Sequence, residues 1–154
     1  MIDLTKSQEE RAERLHGEAV VIDTHCDTLG HFLQQSWPRR PPRRLGERSD
    51  QGHLDLPRMV EGGVTCQTFA MYTGNRAIVP DATLRALQMV DVFYREVETN
   101  DGIVAVTKPD EILAAKKAGK AAGLLSMEGA EPLMGDIGLL RVFYRLGVRM
   151  LSFA

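Results

Sequence analysis

Three side chains suited to metal binding stand at the ends of two apolar segments of the sequence. His25 and Asp27 follow the first segment, which begins at residue 19. In a strand, residues two apart share a face about 6.6 Å apart, so Asp23, His25 and Asp27 should point the same way. An imidazole and a carboxylate at that spacing form half of a site for a divalent metal such as zinc. An isolated H-x-D motif is more often a turn histidine beside a solvated aspartate.

Glu128 ends the second apolar segment, residues 122–127, and is followed by a glycine. Carboxylates are rare in buried strands because burying an unpaired charge is costly. The carboxyl ends of parallel strands are where α/β proteins build their active sites. Alone, Glu128 fits a helix start or a solvated loop equally well. With His25 and Asp27 at the equivalent edge of another strand, a shared site is favoured.

Other polar residues near these segments are assigned different roles. A second H-x-D, His53 to Asp55, precedes Leu-Pro, so Asp55 is expected to cap a helix rather than bind metal. Cys26 lies on the opposite strand face from His25, and we expect it to pack against a helix. Tyr72 ends another predicted strand at the same edge, where contact with substrate and a plain surface position are both open.

The elements that must position these residues follow from periodicity and capping signals. Predicted helices cover residues 5–18, 56–61, 81–98, 109–118 and 136–146; predicted strands cover 19–27, 64–72, 103–106, 121–127 and 148–153; residues 28–52 form a long, proline-rich loop. The first strand is expected to be buried on both faces. Alternation of strands and helices predicts an α/β fold with about four main parallel strands.

Composition narrows the class of protein. The chain has 154 residues, 44% of them hydrophobic, and a formal charge of −2, as expected for a folded domain and not for a general nucleic-acid binder. Neither a membrane span nor a secretion signal is visible, so two reduced cysteines and a cytoplasmic location are expected. For the arginine pairs at 39–40 and 43–44, which follow the first strand, a solvated segment is favoured over a lid that steers anions or contacts a partner.

The motifs together resemble the membrane (renal) dipeptidase family, the M19 peptidases of the amidohydrolase superfamily. The matching segments, in family order and spacing, are VIDTHCDT at 21–28, HLDLPR at 53–58, GGV at 62–64, SMEGA at 126–130 and residues 139–151. The resemblance implies a (β/α)₈ barrel with two zinc ions that hydrolyses dipeptides through a metal-bound hydroxide, often tolerating a D-residue at the carboxyl-terminal position. It makes His25 and Asp27 ligands of one zinc and Glu128 the catalytic carboxylate bridging both. We expect Asp23 to orient His25 or a neighbouring backbone group.

The length of the chain limits what it is expected to do alone. A complete barrel of this kind needs about 250 residues, so the 154 residues are expected to be the first half, ending near the fourth strand. The remaining ligands would lie beyond residue 154, and the isolated chain should have little activity. The alternative is a non-catalytic half-barrel that needs a complementary chain, and zinc stoichiometry separates the two. A dipeptide is the expected partner, and a homo-oligomer is left open.

Overall fold

The computed structural model describes residues 3–33, 43–74 and 81–153, which form a parallel sheet with helices. The strands are β1 (Ile22–Cys26), β2 (Cys66–Tyr72), β3 (Ile103–Ala105), β4 (Ala121–Glu128) and β5 (Val148–Ser152). The helices are α1 (Lys6–Glu18), α2 (Leu29–Phe32), α3 (Leu56–Glu61), α4 (Ala82–Glu98), α5 (Pro109–Lys117) and α6 (Ile137–Arg145), with a 3₁₀ turn at Glu131–Leu133. The predicted α/β fold is therefore confirmed, although α2 and the 3₁₀ turn were not predicted.

The order of the strands agrees with the first half of a (β/α)₈ barrel. β1 pairs with β2 and β2 pairs with β4, all in parallel. The other edge of β4 is shared, because β3 pairs with its amino-terminal part and β5 with its carboxyl-terminal part. β1, β2, β4 and β5 therefore follow one another across the sheet, and β3 is a short addition at its amino end.

Helix α4 packs against one face of β2 and β4 and holds them together. The rings of Phe69 in β2 and Phe93 in α4 have centroids 5.6 Å apart. A Cβ at Gly123 in β4 would lie 3.0 Å from the Phe93 ring, so any larger residue would force that ring to shift. Asp81 caps α4 by accepting a hydrogen bond from the N–H of Leu84, as predicted. The strand that carries Glu128 is thus fixed from one side by a capped helix.

The prediction that the first strand is buried on both faces is wrong. Four of the five residues of β1 are exposed, and Ile22 keeps 48% of its surface accessible. β1 has a paired neighbour, β2, on one side within the described residues. Its β-branched residues predicted a strand correctly, but they do not report how many neighbours that strand has.

The segment predicted as one long loop contains a helical turn. Leu29 and Phe32 are three residues apart and both are buried, so α2 anchors the chain shortly after the carboxyl end of β1. Residues 34–42, including the Arg39–Arg40 pair, lie outside the described residues.

The arginine pair at 43–44 takes neither of the two roles considered for it. Arg44 Nε lies 2.8 Å from Oε1 of Glu96, a side chain that is 3% exposed. Glu96 Oε2 also accepts the N–H of Leu45. α4 leads at this end into β3, which pairs with the amino-terminal part of β4, so the ion pair lies at the opposite end of the sheet from Glu128. Arg43 donates to the carbonyl of Leu54. These contacts hold the segment before α3 against α4, and they do not form a lid.

The two cysteines are free, and they differ in burial, which gives a first testable prediction. Cys66 is 0% exposed, and burial raises the pKa of its thiol to about 11. Cys26 is partly exposed, with Sγ 2.7 Å from Thr28 Oγ1. At pH 8 we expect a disulfide reagent to modify Cys26 quickly and Cys66 slowly, because the thiolate is the reactive form. Thiol titration before and after unfolding checks this, and equal rates in the folded chain would contradict it.

No described helix is both long enough and apolar enough to cross a membrane.

Candidate metal centre

Three predicted ligands meet at the carboxyl end of the sheet. Glu128 is the last residue of β4, and Asp27 follows directly after β1. His25 Nε2 lies 3.0 Å from Glu128 Oε2 and 3.4 Å from Asp27 Oδ1. One ligand atom from each residue can be chosen so that all three lie within 4.8 Å of one another. The structure thus brings together residues separated by about a hundred positions in the sequence.

The spacing of these atoms suits a divalent ion with tetrahedral coordination. Zinc binds imidazole nitrogen and carboxylate oxygen at about 2.0–2.2 Å, which places two tetrahedral ligand atoms roughly 3.3–3.5 Å apart. The separations of 3.0 and 3.4 Å measured from His25 Nε2 are close to this distance. One nitrogen and two carboxylate oxygens also form a donor set that zinc and similar ions accept. The residues therefore fit such an ion.

The environment of Glu128 supports this fit. Its Oε2 is buried and makes no hydrogen bond, although His25 Nε2 is 3.0 Å away, so the contact lacks hydrogen-bond geometry. A buried carboxylate oxygen without a donor costs about 1–3 kcal/mol or more. A cation between Oε2 and Nε2 would remove that cost. Half of the His25 side chain and a quarter of the Glu128 side chain remain accessible, so an ion can enter.

An irregularity in β1 determines where His25 lies. Asp23 pairs in register with Gln67, but Cys26 pairs with Phe69, so β1 has one more residue than β2 over this stretch. The predicted strict alternation is therefore wrong between Asp23 and Cys26, where a bulge interrupts it, although His25 and Asp27 converge as predicted. Cys26 packs against the main hydrophobic core, which leaves the other face to His25.

Asp23 and Tyr72 both lie near the three ligands. The Asp23 carboxylate is exposed, and its Oδ1 accepts the backbone N–H of His25 at 3.0 Å. Tyr72 pairs in register with Glu128 and is 51% exposed. Because β2 lies between β1 and β4, Tyr72 ends the strand between the two groups of ligands.

Gln67 is a residue of the site region that sequence reasoning missed. It is fully buried in β2, and its Nε2 donates to the carbonyl oxygens of Asp23 at 3.5 Å and Thr68 at 3.1 Å. A signal was present, since Gln67 is a large polar residue within a segment predicted to be a strand, where an amide needs partners.

The second H-x-D motif is structural, as predicted. Asp55 is 0% exposed and caps α3 by accepting the N–H of Arg58 at 2.9 Å. It also accepts the N–H of Ser49 and lies 2.7 Å from Arg58 Nε. Burial alone would raise the pKa of Asp55, but these hydrogen bonds and the Arg58 charge outweigh it and hold the pKa below its usual value.

Known dipeptidases resemble this chain in sequence. Dipeptidase tcpJ of Claviceps purpurea is 31% identical over 142 residues, which cover 86% of this chain and 33% of that protein. Dipeptidase 3 of Rattus norvegicus is 30% identical over 143 residues, covering 93% of this chain and 28% of that protein. The chain thus spans about a third of the length of these curated relatives.

Solved structures of metallo peptidases resemble this chain in fold. A metallo peptidase described as dipeptidase AC of family M19 superposes with a TM-score of 0.73 at 29% identity, over 86% of this chain and 42% of that one. A metallo peptidase from Rhodobacter sphaeroides, solved with a phosphinate mimic of the dipeptide L-Ala-D-Ala, gives 0.71 at 26% identity, over 86% and 44%. The sequence profile of membrane dipeptidases matches residues 9–154. This match covers almost the whole chain, and the chain therefore belongs to the membrane dipeptidase family, peptidase family M19.

Proposed function

We propose that this chain supplies His25, Asp27 and Glu128 to the metal centre of a zinc-dependent dipeptidase. The observation that carries the proposal is the convergence of His25 Nε2, Asp27 Oδ1 and the buried Glu128 Oε2 at the carboxyl edge of the sheet. Membership of a family of metallo-dipeptidases supports it independently. Because the chain spans a minority of its relatives' length, the proposed activity is that of the whole enzyme.

Each residue has a defined part in this proposal. His25 and Asp27 would hold one ion, and the carboxylate of Glu128 has a second oxygen, so it can hold two ions at once. Divalent ions at such a centre polarise a carbonyl group and lower the pKa of water, which is what amide hydrolysis at neutral pH needs. Glu128 would also keep two ions close together, because its two oxygens belong to one rigid group.

The proposed substrate is a dipeptide, including one with a D-residue at its carboxyl terminus. The Rhodobacter relative was solved with a mimic of L-Ala-D-Ala, which supports this class. Tyr72 is proposed as a substrate contact, since its exposed side chain stands beside Glu128. A cytoplasmic location stays a prediction.

Metal stoichiometry is the first test. Equilibrium dialysis of the chain against Zn²⁺ or Co²⁺, followed by elemental analysis, is expected to give one ion per chain. His25→Ala should remove it, whereas His53→Ala, in the H-x-D motif outside the cluster, should retain it. Absence of a bound ion in the wild type, or equal binding by both variants, would contradict the proposed centre.

Hydrolysis is the second test. We expect the 154-residue chain with Zn²⁺ to release alanine from L-Ala-D-Ala at a rate near the background. Mixing or fusing it with the carboxyl-terminal part of the Rhodobacter relative should restore hydrolysis, and His25→Ala should abolish it. A folded, metal-loaded hybrid without hydrolysis would instead favour a half-barrel that binds metal but does not catalyse.

A further inference from the structure

The bulge in β1 places one extra residue opposite β2. From Asp23 to Cys26 the chain advances three residues, while β2 advances two, from Gln67 to Phe69. An extra residue in one strand interrupts the ladder and leaves its N–H and C=O groups without strand partners. Something other than β2's backbone must satisfy them if the bulge is to persist.

Two side chains bind backbone groups within or beside the bulge. Asp23 Oδ1 accepts the N–H of His25 at 3.0 Å. From the neighbouring strand, Gln67 Nε2 lies 3.5 Å from the carbonyl oxygen of Asp23 and donates to that of Thr68 at 3.1 Å. One side chain thus holds the bulge from within β1, and the other holds it from β2.

Without the extra residue, the ligand would turn to the wrong face. If β1 stayed in the register set by Asp23 and Gln67, His25 would take the position beside Phe69 that Cys26 now occupies. Phe69 packs against Phe93 of α4, so an imidazole there would face the core. A slip of one residue moves each side chain to the opposite face of the sheet. Glu128 would then lose its contact with His25.

We infer that Asp23 and Gln67 are positioning residues that hold this bulge and thereby aim His25 at Glu128. The inference rests on the proposed function, because His25 must face Glu128 only if the two share an ion. Gln67 was not among the residues predicted to support the site. Its Oε1 is buried without a hydrogen-bond partner, so the amide is kept in the sheet interior despite an unsatisfied atom. Its contacts with the bulge give a reason for that.

The first experiment uses the metal-free chain and measures how well the bulge is held in place. Hydrogen exchange of the His25 amide is followed by NMR in the wild type, Asp23→Ala, Asp23→Asn and Gln67→Met. Removing the acceptor in Asp23→Ala should speed exchange about five- to tenfold, the effect expected for one lost hydrogen bond. Asp23→Asn keeps an acceptor oxygen and should restore protection. Gln67→Met should also speed exchange, because the bulge loses its support from β2.

Thr68→Val is the matched control on the same strand. Thr68 is 1% exposed, its Oγ1 has no hydrogen-bond partner, and valine has nearly the same shape. This variant removes a buried polar atom from the residue opposite the bulge but keeps the Asp23 and Gln67 side chains and the backbone carbonyl that Gln67 binds, so His25 exchange should stay at the wild-type rate. If Thr68→Val and Gln67→Met behave alike, the effect is general strand stability and the inference fails. Since Asp23 is exposed, the pair of Asp23 variants decides the matter even if Gln67→Met does not fold.

The second experiment measures how strongly each variant binds Co²⁺ and the visible spectrum of the bound ion. Asp23→Ala and Gln67→Met should bind Co²⁺ about 10- to 100-fold more weakly, as when a group supporting a ligand is lost, with an altered visible spectrum. Asp23→Asn and Thr68→Val should match the wild type. Wild-type binding and spectrum in all variants would overturn the inference and leave the proposed function standing. A wild type that binds no Co²⁺ would overturn the proposed function, and His25 exchange would still decide whether the two residues hold the bulge.

Discussion

Glu128→Gln is expected to lower the affinity of the chain for Zn²⁺ or Co²⁺ by more than about 100-fold, beyond the loss caused by removing a group that merely supports a ligand. The amide keeps the size of the side chain but removes the negative charge and one of the two oxygens. His25 and Asp27 alone would then share the ion with solvent. Competition with a chromophoric chelator measures the affinity.

Thermal unfolding separates this loss from a loss of folding. Without metal, Glu128→Gln should be at least as stable as the wild type, because the buried Oε2 has no hydrogen-bond donor to lose. An ion at 100 times its dissociation constant stabilises the folded state by about 2.7 kcal/mol, so metal should raise the midpoint of the wild type but not that of Glu128→Gln. Glu131→Gln, three residues along the chain and outside the cluster, is the control. Equal metal-induced shifts in both variants would rule out Glu128 as a ligand.

Asp55→Ala is expected to destabilise the chain by about 2–4 kcal/mol. The carboxylate is completely buried, and its loss leaves the N–H groups of Ser49 and Arg58 unpaired at the start of α3. The Arg58 side chain is 31% exposed and can turn to solvent, so the cost should fall short of that of a fully buried broken ion pair. Denaturant unfolding measures the difference.

Asp81→Ala provides the comparison for a helix cap at an exposed position. Asp81 caps α4 through one hydrogen bond at the surface, so its loss should cost about 1 kcal/mol. If the two substitutions had equal effects, burial of Asp55 would contribute nothing and the argument from its network would be wrong.

The same network predicts a pH dependence. The pKa of Asp55 is held below its usual value in the folded chain. Its stabilising contribution is therefore present above the pKa of the unfolded chain, about 3.9, and is lost as the pH falls through the lower, folded-state pKa. Between pH 6 and pH 3 the wild type should lose more stability than Asp55→Asn, whose side chain does not titrate. Parallel pH profiles would contradict this assignment.

Local signals in the sequence were enough to predict most elements and the composition of the site. Asp55 and Asp81 mark helix starts because a cap needs only its own next few residues. Glu128 was recognisable because a carboxylate at the end of an apolar run is costly unless it has a partner. His25 and Asp27 followed from their spacing and from the apolar run before them.

The features that were missed depend on contacts between distant segments. Arg44 pairs with Glu96, 52 positions away, and its neighbouring prolines gave no sign of that partner. The bulge beside His25 depends on how β1 registers against β2, which the periodicity of β1 alone does not contain. The exposure of β1 depends on the number of strands beside it. Sequence patterns therefore predict the conformation of a segment more directly than they predict which segments pack beside it.

The unequal burial of β1 and β4 has a consequence for the rate of metal exchange. His25 belongs to an exposed strand at the side of the described sheet and Asp27 directly follows it, whereas Glu128 ends a largely buried strand with paired neighbours on both sides. Exposed strands open locally far more often than central ones. A bound ion would therefore tie a frequently opening strand to a rarely opening one. Release of the ion should be timed by the opening of β1, and a loaded site should slow that opening in return.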